Sequence, residues 1–399
     1  MAETAGPRVA ILAGARTPIG KFGGSLRPFA APELGAVAAG AALERAGMRP
    51  AEVEEVVFGE GIQAGVGQNP ARQVLRRVGI PDPVGAVTVN MVCGSGMKAI
   101  HLGAALVRAG DFDRVLVGGM ESMSNAPFLV DAGVRWGVRP GARTLDDAMQ
   151  RDALVDAYDE HELMGLTGER VAAKLGLSRA DVDRFALESH RRAAAAVAAG
   201  LFDPETAPVP GPHGAVALAR DETPRGDSTL EGLARLPPAF APTGVLTAGN
   251  SSRLSDGAAA LVLASEREVA RRGAQPLAWI HSTGESGLDP KDVMEAPIPT
   301  VRRHLERTGL RPGDFDRVEH NEAYASASIA VQRAFGFAAD RFNVHGGAIA
   351  LGHPIGASGA RIVVTLAYEL VRSNGRLGLA TLCMGGGNGL SLALERGPK

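Results

Sequence analysis

Cys93 closes the run Val89-Asn90-Met91-Val92-Cys93 and is followed by Gly94-Ser95-Gly96-Met97. Two glycines around a serine allow a sharp turn from a strand into a helix. A thiol at such a turn faces the unpaired N–H groups and positive end of the helix, which favour thiolate and lower the pKa. The competing reading is an inert buried cysteine, a common fate of free cysteines. His353 lies in Gly352-His353-Pro354-Ile355-Gly356-Ala357-Ser358-Gly359. A residue before proline is pushed out of helical geometry, and proline followed by small residues opens a helix. Histidine is the usual partner that takes a thiol proton, although a lone histidine is more often a satisfied polar residue. Cys383 is followed by Met384 and by Gly385, Gly386 and Gly387. Three glycines after a strand leave backbone N–H groups that can hold a developing oxyanion, or simply make a hairpin turn. Asn321, in His320-Asn321-Glu322-Ala323-Tyr324, falls between a strand and a helix, where the default role is to cap the helix.

These residues need a scaffold that alternates strands and helices. Residues 8–14 and 53–59 read as short buried strands around a helix over 32–47. A strand over 84–92, a helix over 97–109 and a strand over 115–119 continue the alternation. From 121 to 250 the rhythm breaks into a Pro-, Gly- and charge-rich stretch with helical pieces, the clearest over 179–199. Alternation resumes with a strand over 277–280, a helix over 297–309 and a strand over 316–320. A helix over 322–335, a helix over 356–373 and strands over 377–383 and 389–394 complete it. The fold class is α/β with a mainly parallel or mixed sheet. Both halves run from a glycine-rich turn into a helix and then a strand. A duplicated unit would set Cys93 and His353 at equivalent sites, facing each other across a pseudo-twofold axis.

Bulk properties remove several classes of function. A length of 399 residues exceeds one simple core and implies two or three domains. A net charge of −2 and only 4% aromatic residues favour neither nucleic acid nor an anionic membrane as partner. Two cysteines almost 300 positions apart cannot form a disulfide scaffold, and nine histidines supply no metal-binding HExxH. Residues 1–7 lack a basic end followed by an apolar run, so no secretory signal is read there. No stretch of about 18 residues is free of charge and fully apolar. The expectation is a soluble cytoplasmic protein with no metal or redox cofactor.

Taken together, VCGSG, HNEAY, GHPIGASG and CMGGG resemble, in order and separation, the thiolase family of acetyl-CoA acetyltransferases and 3-ketoacyl-CoA thiolases. Residues 15–26, 63–73 (QAGVGQNPARQ) and 247–260 (TAGNSSRLSDGAAA) extend the resemblance over nearly the whole chain. It implies two duplicated α/β halves packed face to face in a layered αβαβα core. The halves would span residues 1–120, completed by about 251–275, and 276–399, with an inserted CoA-binding loop domain over 121–250. It further implies that Cys93 carries the acyl group, His353 activates the thiol, and Cys383 moves the α-proton of acetyl-CoA. Asn321 would hold a water that forms one oxyanion hole with His353, and the N–H groups of Cys93 and Gly385 would form the other. Leu154, Met164, Arg225, Ser252, Ala323 and Tyr324 match CoA or acyl-pocket positions. Arg135, Arg139 and Arg143 add positive charge to the insertion, for CoA phosphates, solvent or a subunit contact. The implied partners are acyl-CoA and CoA, the latter as substrate, and a second copy in a homodimer or homotetramer.

Two positions depart from common patterns. Leu163 stands before Met164-Gly165 where short-chain biosynthetic members often carry histidine, and so is similar to degradative members. Tyr324 replaces the usual phenylalanine. The alternatives are a ketoacyl synthase-like condensing enzyme, which typically lacks a second catalytic cysteine like Cys383, and a non-catalytic acyl-CoA or lipid-binding protein. A Cys–His hydrolase would have no use for the glycine-rich segments, and a nucleotide site lacks its fingerprint.

Overall fold

A computed structural model describes residues 7–158 and 161–397. Residues 1–6, within the stretch read for a secretory signal, lie outside the described residues. The first half comprises β1 (Val9–Arg16), α1 (Ala31–Arg45), β2 (Glu55–Gly59), α2 (Pro70–Arg77), β3 (Gly85–Val89), α3 (Ser95–Ala109) and β4 (Arg114–Ser122). The segment 121–250 holds short elements and two longer helices, α4 (Met164–Lys174) and α5 (Arg179–Ala198). There follow β5 (Ser255–Ser265), β6 (Ala278–Gly287), α6 (Pro297–Thr308), β7 (Arg317–His320), α7 (Ala325–Phe335), α8 (Ile355–Arg372), β8 (Leu377–Met384) and β9 (Asn388–Glu395).

Element boundaries follow local chemistry. Asn69 accepts from the Arg72 N–H and precedes Pro70, which starts α2. Ser178 and Asp181 form a capping box at α5. Gly110 and Gly309, both left-handed, end α3 and α6. One feature went unread in the sequence. β5 is a central strand buried along all of its 11 residues, and a strand covered on both faces has no alternating pattern to reveal it.

The main sheet runs β7-β8-β9-β6-β1-β5-β4-β2-β3. The pairs β1–β5 and β5–β4 are antiparallel and β4–β2 is parallel. The second half repeats this order, with β6–β9 and β9–β8 antiparallel and β8–β7 parallel. Such repetition is the expected duplication, seen in the pairing itself. The halves do more than face each other: β1 and β6 pair directly, Ala10 opposite Trp279, and join them into one sheet.

Helices α3 and α8 lie between the two half-sheets. α8 packs on β4 and β5 of one half and on β7 and β8 of the other, while α1 and α6 cover the outer faces. Met97 and Ile100 of α3 share a core with Ile362, Val363 and Leu366 of α8, and with Val117, Leu261, Leu382 and Leu392 of the sheet. The two helices cross at glycine. A Cβ on Gly359 would lie 2.6 Å from the Met97 backbone nitrogen, and one on Gly96 would lie 2.9 Å from the Ala360 nitrogen. Only side chains of one hydrogen allow this approach. Gly359→Ala should therefore lower stability by about 1–3 kcal/mol through overpacking. Gly40→Ala, in open space on α1, should raise it by about 0.5–1 kcal/mol. Urea-unfolding midpoints of the two variants measure the contrast, and equal shifts would contradict the close crossing.

Candidate active site

The turn that carries Cys93 is tightly specified. Val92 has a φ of +48°, a left-handed conformation that a β-branched residue adopts only under constraint from its surroundings. The constraint is visible. Asn90 Oδ1 accepts from the Val92 N–H at 2.9 Å, Asn90 Nδ2 donates to the Gly61 carbonyl at 2.8 Å, and Ser95 Oγ donates to the Val92 carbonyl at 2.7 Å. Cys93 then lies in a 3₁₀ turn directly ahead of α3. On the other side, a Cβ on Gly94 would meet Met384 Sδ at 2.3 Å, so this turn packs against the end of β8 that bears Cys383.

His353 sits in the equivalent turn ahead of α8. Gly352, at φ +103°, lies so close to Ser255 that a Cβ would be 2.2 Å from its Oγ. The His353 N–H donates to the Arg253 carbonyl at 2.9 Å. Glu121 Oε2 accepts from the Gly356 N–H at 2.9 Å and from the Gly61 N–H at 3.0 Å, tying the start of α8 to the loop after β2. His353 Nδ1 is 2.5 Å from Ser358 Oγ, which itself donates to the Pro354 carbonyl at 2.9 Å. With its proton so used, Ser358 accepts from Nδ1–H, and Nε2 is left as the free base. Ser358 was not singled out in the sequence, where it looked like one more small helix residue. Its signal was the spacing of five from the histidine across a helix start.

Asn321 Nδ2 is 3.5 Å from His353 Nε2, and Asn321 Oδ1 is buried without a partner among the described residues. The capping role is overturned: α7 begins at Ala325 with Tyr324 at its N-cap position, so the Asn321 amide is free for the site. Ser252 N–H donates to the Ala323 carbonyl, and the Ala325 N–H to the Asn250 carbonyl, lacing the 247–260 and 320–324 segments together.

Electrostatics reverse one expectation. Burial pushes the Cys93 thiol well above its ordinary range, and the neighbouring Cys383 adds to the rise. The N–H groups of Gly385 and of Cys93 itself pull it down by less. Loss of water outweighs the helix end, so Cys93 rests as a thiol and not as the expected thiolate. Burial also pushes Cys383 up to about 12 and lowers His353 to about 3, with Arg361 acting in the same direction. Two thiols and a neutral imidazole result. Cys383 Sγ lies 3.7 Å from Met294 Sδ.

Two cavities adjoin the site. One, of about 540 Å³, is lined by Val92, Asn90, Tyr158, Met164, Gly385 and Gly386. The other, of about 570 Å³, is lined by Leu154, Met164, Ser252, Arg253, Tyr324 and His353, among others. Ala323 is buried and belongs to neither lining. Arg225 is exposed and lies outside both linings. The Tyr324 ring stands edge-on to Phe240 at 5.6 Å.

The family profiles "Thiolase, N-terminal domain" and "Thiolase, C-terminal domain" match residues 9–267 and 274–396. The chain belongs to the thiolase family. It is 47% identical to an acetyl-CoA acetyltransferase of Chromobacterium violaceum over 97% of this chain and 99% of that one. It is 48% identical to an acetyl-CoA acetyltransferase of Cupriavidus necator over the same shares. Among solved structures, the crystal structure of human mitochondrial 3-ketoacyl-CoA thiolase is similar, with a TM-score of 0.95 and 39% identity, covering 98% of this chain and 99% of that one. These matches favour neither the ketoacyl synthase nor the binding-protein alternative.

The lowered His353 pKa makes a kinetic prediction. Neutral imidazole persists far above about 3, so the rate of Cys93 acylation should stay flat between about pH 5.5 and about pH 7.5, where an ordinary histidine near 6.5 would titrate. Rapid-quench acylation across that range checks it. A rate that falls on acidification through about 6.5 would show that burial does not hold His353 neutral.

Proposed function

We propose that this thiolase cleaves 3-ketoacyl-CoA with CoA and, in reverse, condenses an acyl group with acetyl-CoA, through an acyl group on Cys93. The observation that carries the reading is the pair of neighbouring thiols, Cys93 and Cys383, together with a neutral His353 that precedes the other central helix, lies against Asn321 and keeps Nε2 as its free nitrogen. In cleavage, His353 Nε2 takes the Cys93 proton and the sulfur attacks the C3 ketone. The C2–C3 bond breaks, acetyl-CoA departs as its enolate, and the Cys383 thiol supplies a proton to C2. The Cys383 thiolate then takes the proton of the CoA thiol, whose sulfur attacks the Cys93 thioester, and Cys93 leaves as thiolate and recovers its proton from His353. In condensation Cys383, as thiolate, removes that α-proton. Its raised pKa supports this role, because a weaker acid is the stronger conjugate base.

Charge develops on two oxygens. Asn321, through a water, and His353 would stabilise one, and the N–H groups of Cys93 and Gly385 the other, each donor being worth a few kcal/mol. Leu154, Met164, Ser252, Ala323 and Tyr324 would shape the acyl and pantetheine path, with Arg225 and the 121–250 insertion holding CoA. In this reading the half-domains would span 1–120 (completed by about 251–275) and 276–399. Nothing in these steps calls for a metal.

A homodimer or homotetramer is part of the same reading. β3 is an open sheet edge with Val87 exposed, and open apolar edges invite a second strand. Phe128, Val130 and Leu145 are exposed on a small two-stranded hairpin, with Trp136 exposed in its loop, an apolar surface suited to a subunit contact. Both cysteines are free thiols, which suits a reducing cytoplasmic location, and fatty acid metabolism is one of the settings that use this chemistry.

Separating the half-reactions tests the assignment. Cys383→Ser should still acylate Cys93 from acetoacetyl-CoA but lose solvent deuterium exchange into acetyl-CoA by about 10²–10⁴-fold. Cys93→Ser should abolish acylation, since an alcohol offers far less anion than a thiol. Equal loss of both half-reactions in Cys383→Ser would remove the reason for giving it the α-proton.

A further inference from the structure

Arginines that enter this interior are mostly held by carboxylates or by backbone carbonyls, as Arg108 is by the Ile280 carbonyl at 3.1 Å. Arg16 pairs with Glu205 at 2.6 Å and with Asp221 at 2.7 Å, and Arg179 pairs with Asp183 at 2.8 Å. Arg253 breaks the pattern. It lines the cavity of about 570 Å³ that ends at His353, and its Nε is buried without a hydrogen-bond partner. No ion pair or side-chain hydrogen bond reaches its guanidinium among the described residues. The charged group acting on it is another cation, Arg225, which opposes its charge together with burial. Arg225 is likewise without a carboxylate partner among the described residues, and both arginines act on the buried His190.

Leaving a half-buried guanidinium unpaired beside a second arginine is unfavourable in a folded chain. The arrangement becomes favourable when an oxyanion enters between them, because a charge-assisted hydrogen bond in a partly dry site is among the stronger polar contacts. Position also matters. The Arg253 carbonyl accepts the His353 N–H, and Leu254 bridges His353. Any anion held here is therefore registered against the catalytic histidine by the backbone itself.

We propose that Arg253 recognises an anionic group of the acyl-CoA substrate, either a phosphate of the CoA portion or a carboxylate borne by the acyl chain. This rests on the thiolase reading above, and it assigns to Arg253 a role in substrate selection and not in bond making.

Three substrates distinguish the sources: acetoacetyl-CoA, its 3′-dephospho form, and a 3-ketoacyl-CoA whose chain ends in a carboxylate. Thiolysis by Arg253→Met and Arg253→Lys is compared with the parent enzyme. Arg253→Met should raise KM at least about tenfold for one or more of the three, with kcat within about threefold, and Arg253→Lys should recover part of the loss. A loss confined to the carboxylate-ended substrate assigns the acyl carboxylate. A loss seen with both full-length CoA substrates but not the dephospho form assigns the 3′-phosphate, and a loss shared by all three assigns the diphosphate. KM values within about twofold of the parent for all three would overturn the proposal, as would equal losses in both variants accompanied by a lowered melting temperature. Failure of the thiolase reading would show separately, as absence of an acyl adduct on Cys93 in the parent enzyme.

Discussion

Helices α3 and α8 approach until backbone touches backbone, and the positions of Cys93 and His353 follow from that contact. Gly96 and Gly359 lie in the crossing, and Gly119 of β4 would place a Cβ 2.2 Å from the Gly356 carbonyl. Each helix begins at a turn that ends one half of the duplicated fold, so bringing the helices together brings the two turns together. A side chain at any of these positions would separate the halves by the width of a methyl group or more.

Dryness is the second consequence of the same packing. Helices flanked by sheets on both sides keep much of the water from their N-terminal ends, although Cys93 stays partly exposed, and the ionisable groups there respond in the direction of neutrality. Cys93 and Cys383 are held as thiols and His353 as neutral imidazole. In the proposed reaction charge would arise only as bonds change, and the N–H groups of Gly385 and Cys93 and the Asn321 amide would meet it. Oriented dipoles around neutral reacting groups stabilise an oxyanion more than water does.

Much of this was legible in the residue order. Strand and helix alternation was clear in both halves, fully buried strands such as Val9–Arg16 and Leu377–Met384 included, and the glycine-rich turns stood out at Cys93, His353 and Cys383. β5 was missed, because Ala258 to Ala264 is apolar throughout and a doubly buried strand carries no period. Local reasoning also misjudged Asn321, since nothing before Tyr324 says that the helix waits until Ala325. The direction of the Cys93 shift was misread for a different reason. A helix end is visible in sequence, whereas the loss of water around a thiol belongs to the tertiary packing. Ser358 and Arg253 share that difficulty: one matters through a hydrogen bond across a turn, the other through a partner that is missing.

The most direct measurement is intact-mass analysis with peptide mapping after brief mixing with acetoacetyl-CoA and with a longer 3-ketoacyl-CoA. The account predicts an acyl adduct on the peptide bearing Cys93 that disappears when free CoA is added. Absence of an adduct from either substrate, in folded protein with Cys93 reduced, or an adduct on Cys383 in its place, would contradict it.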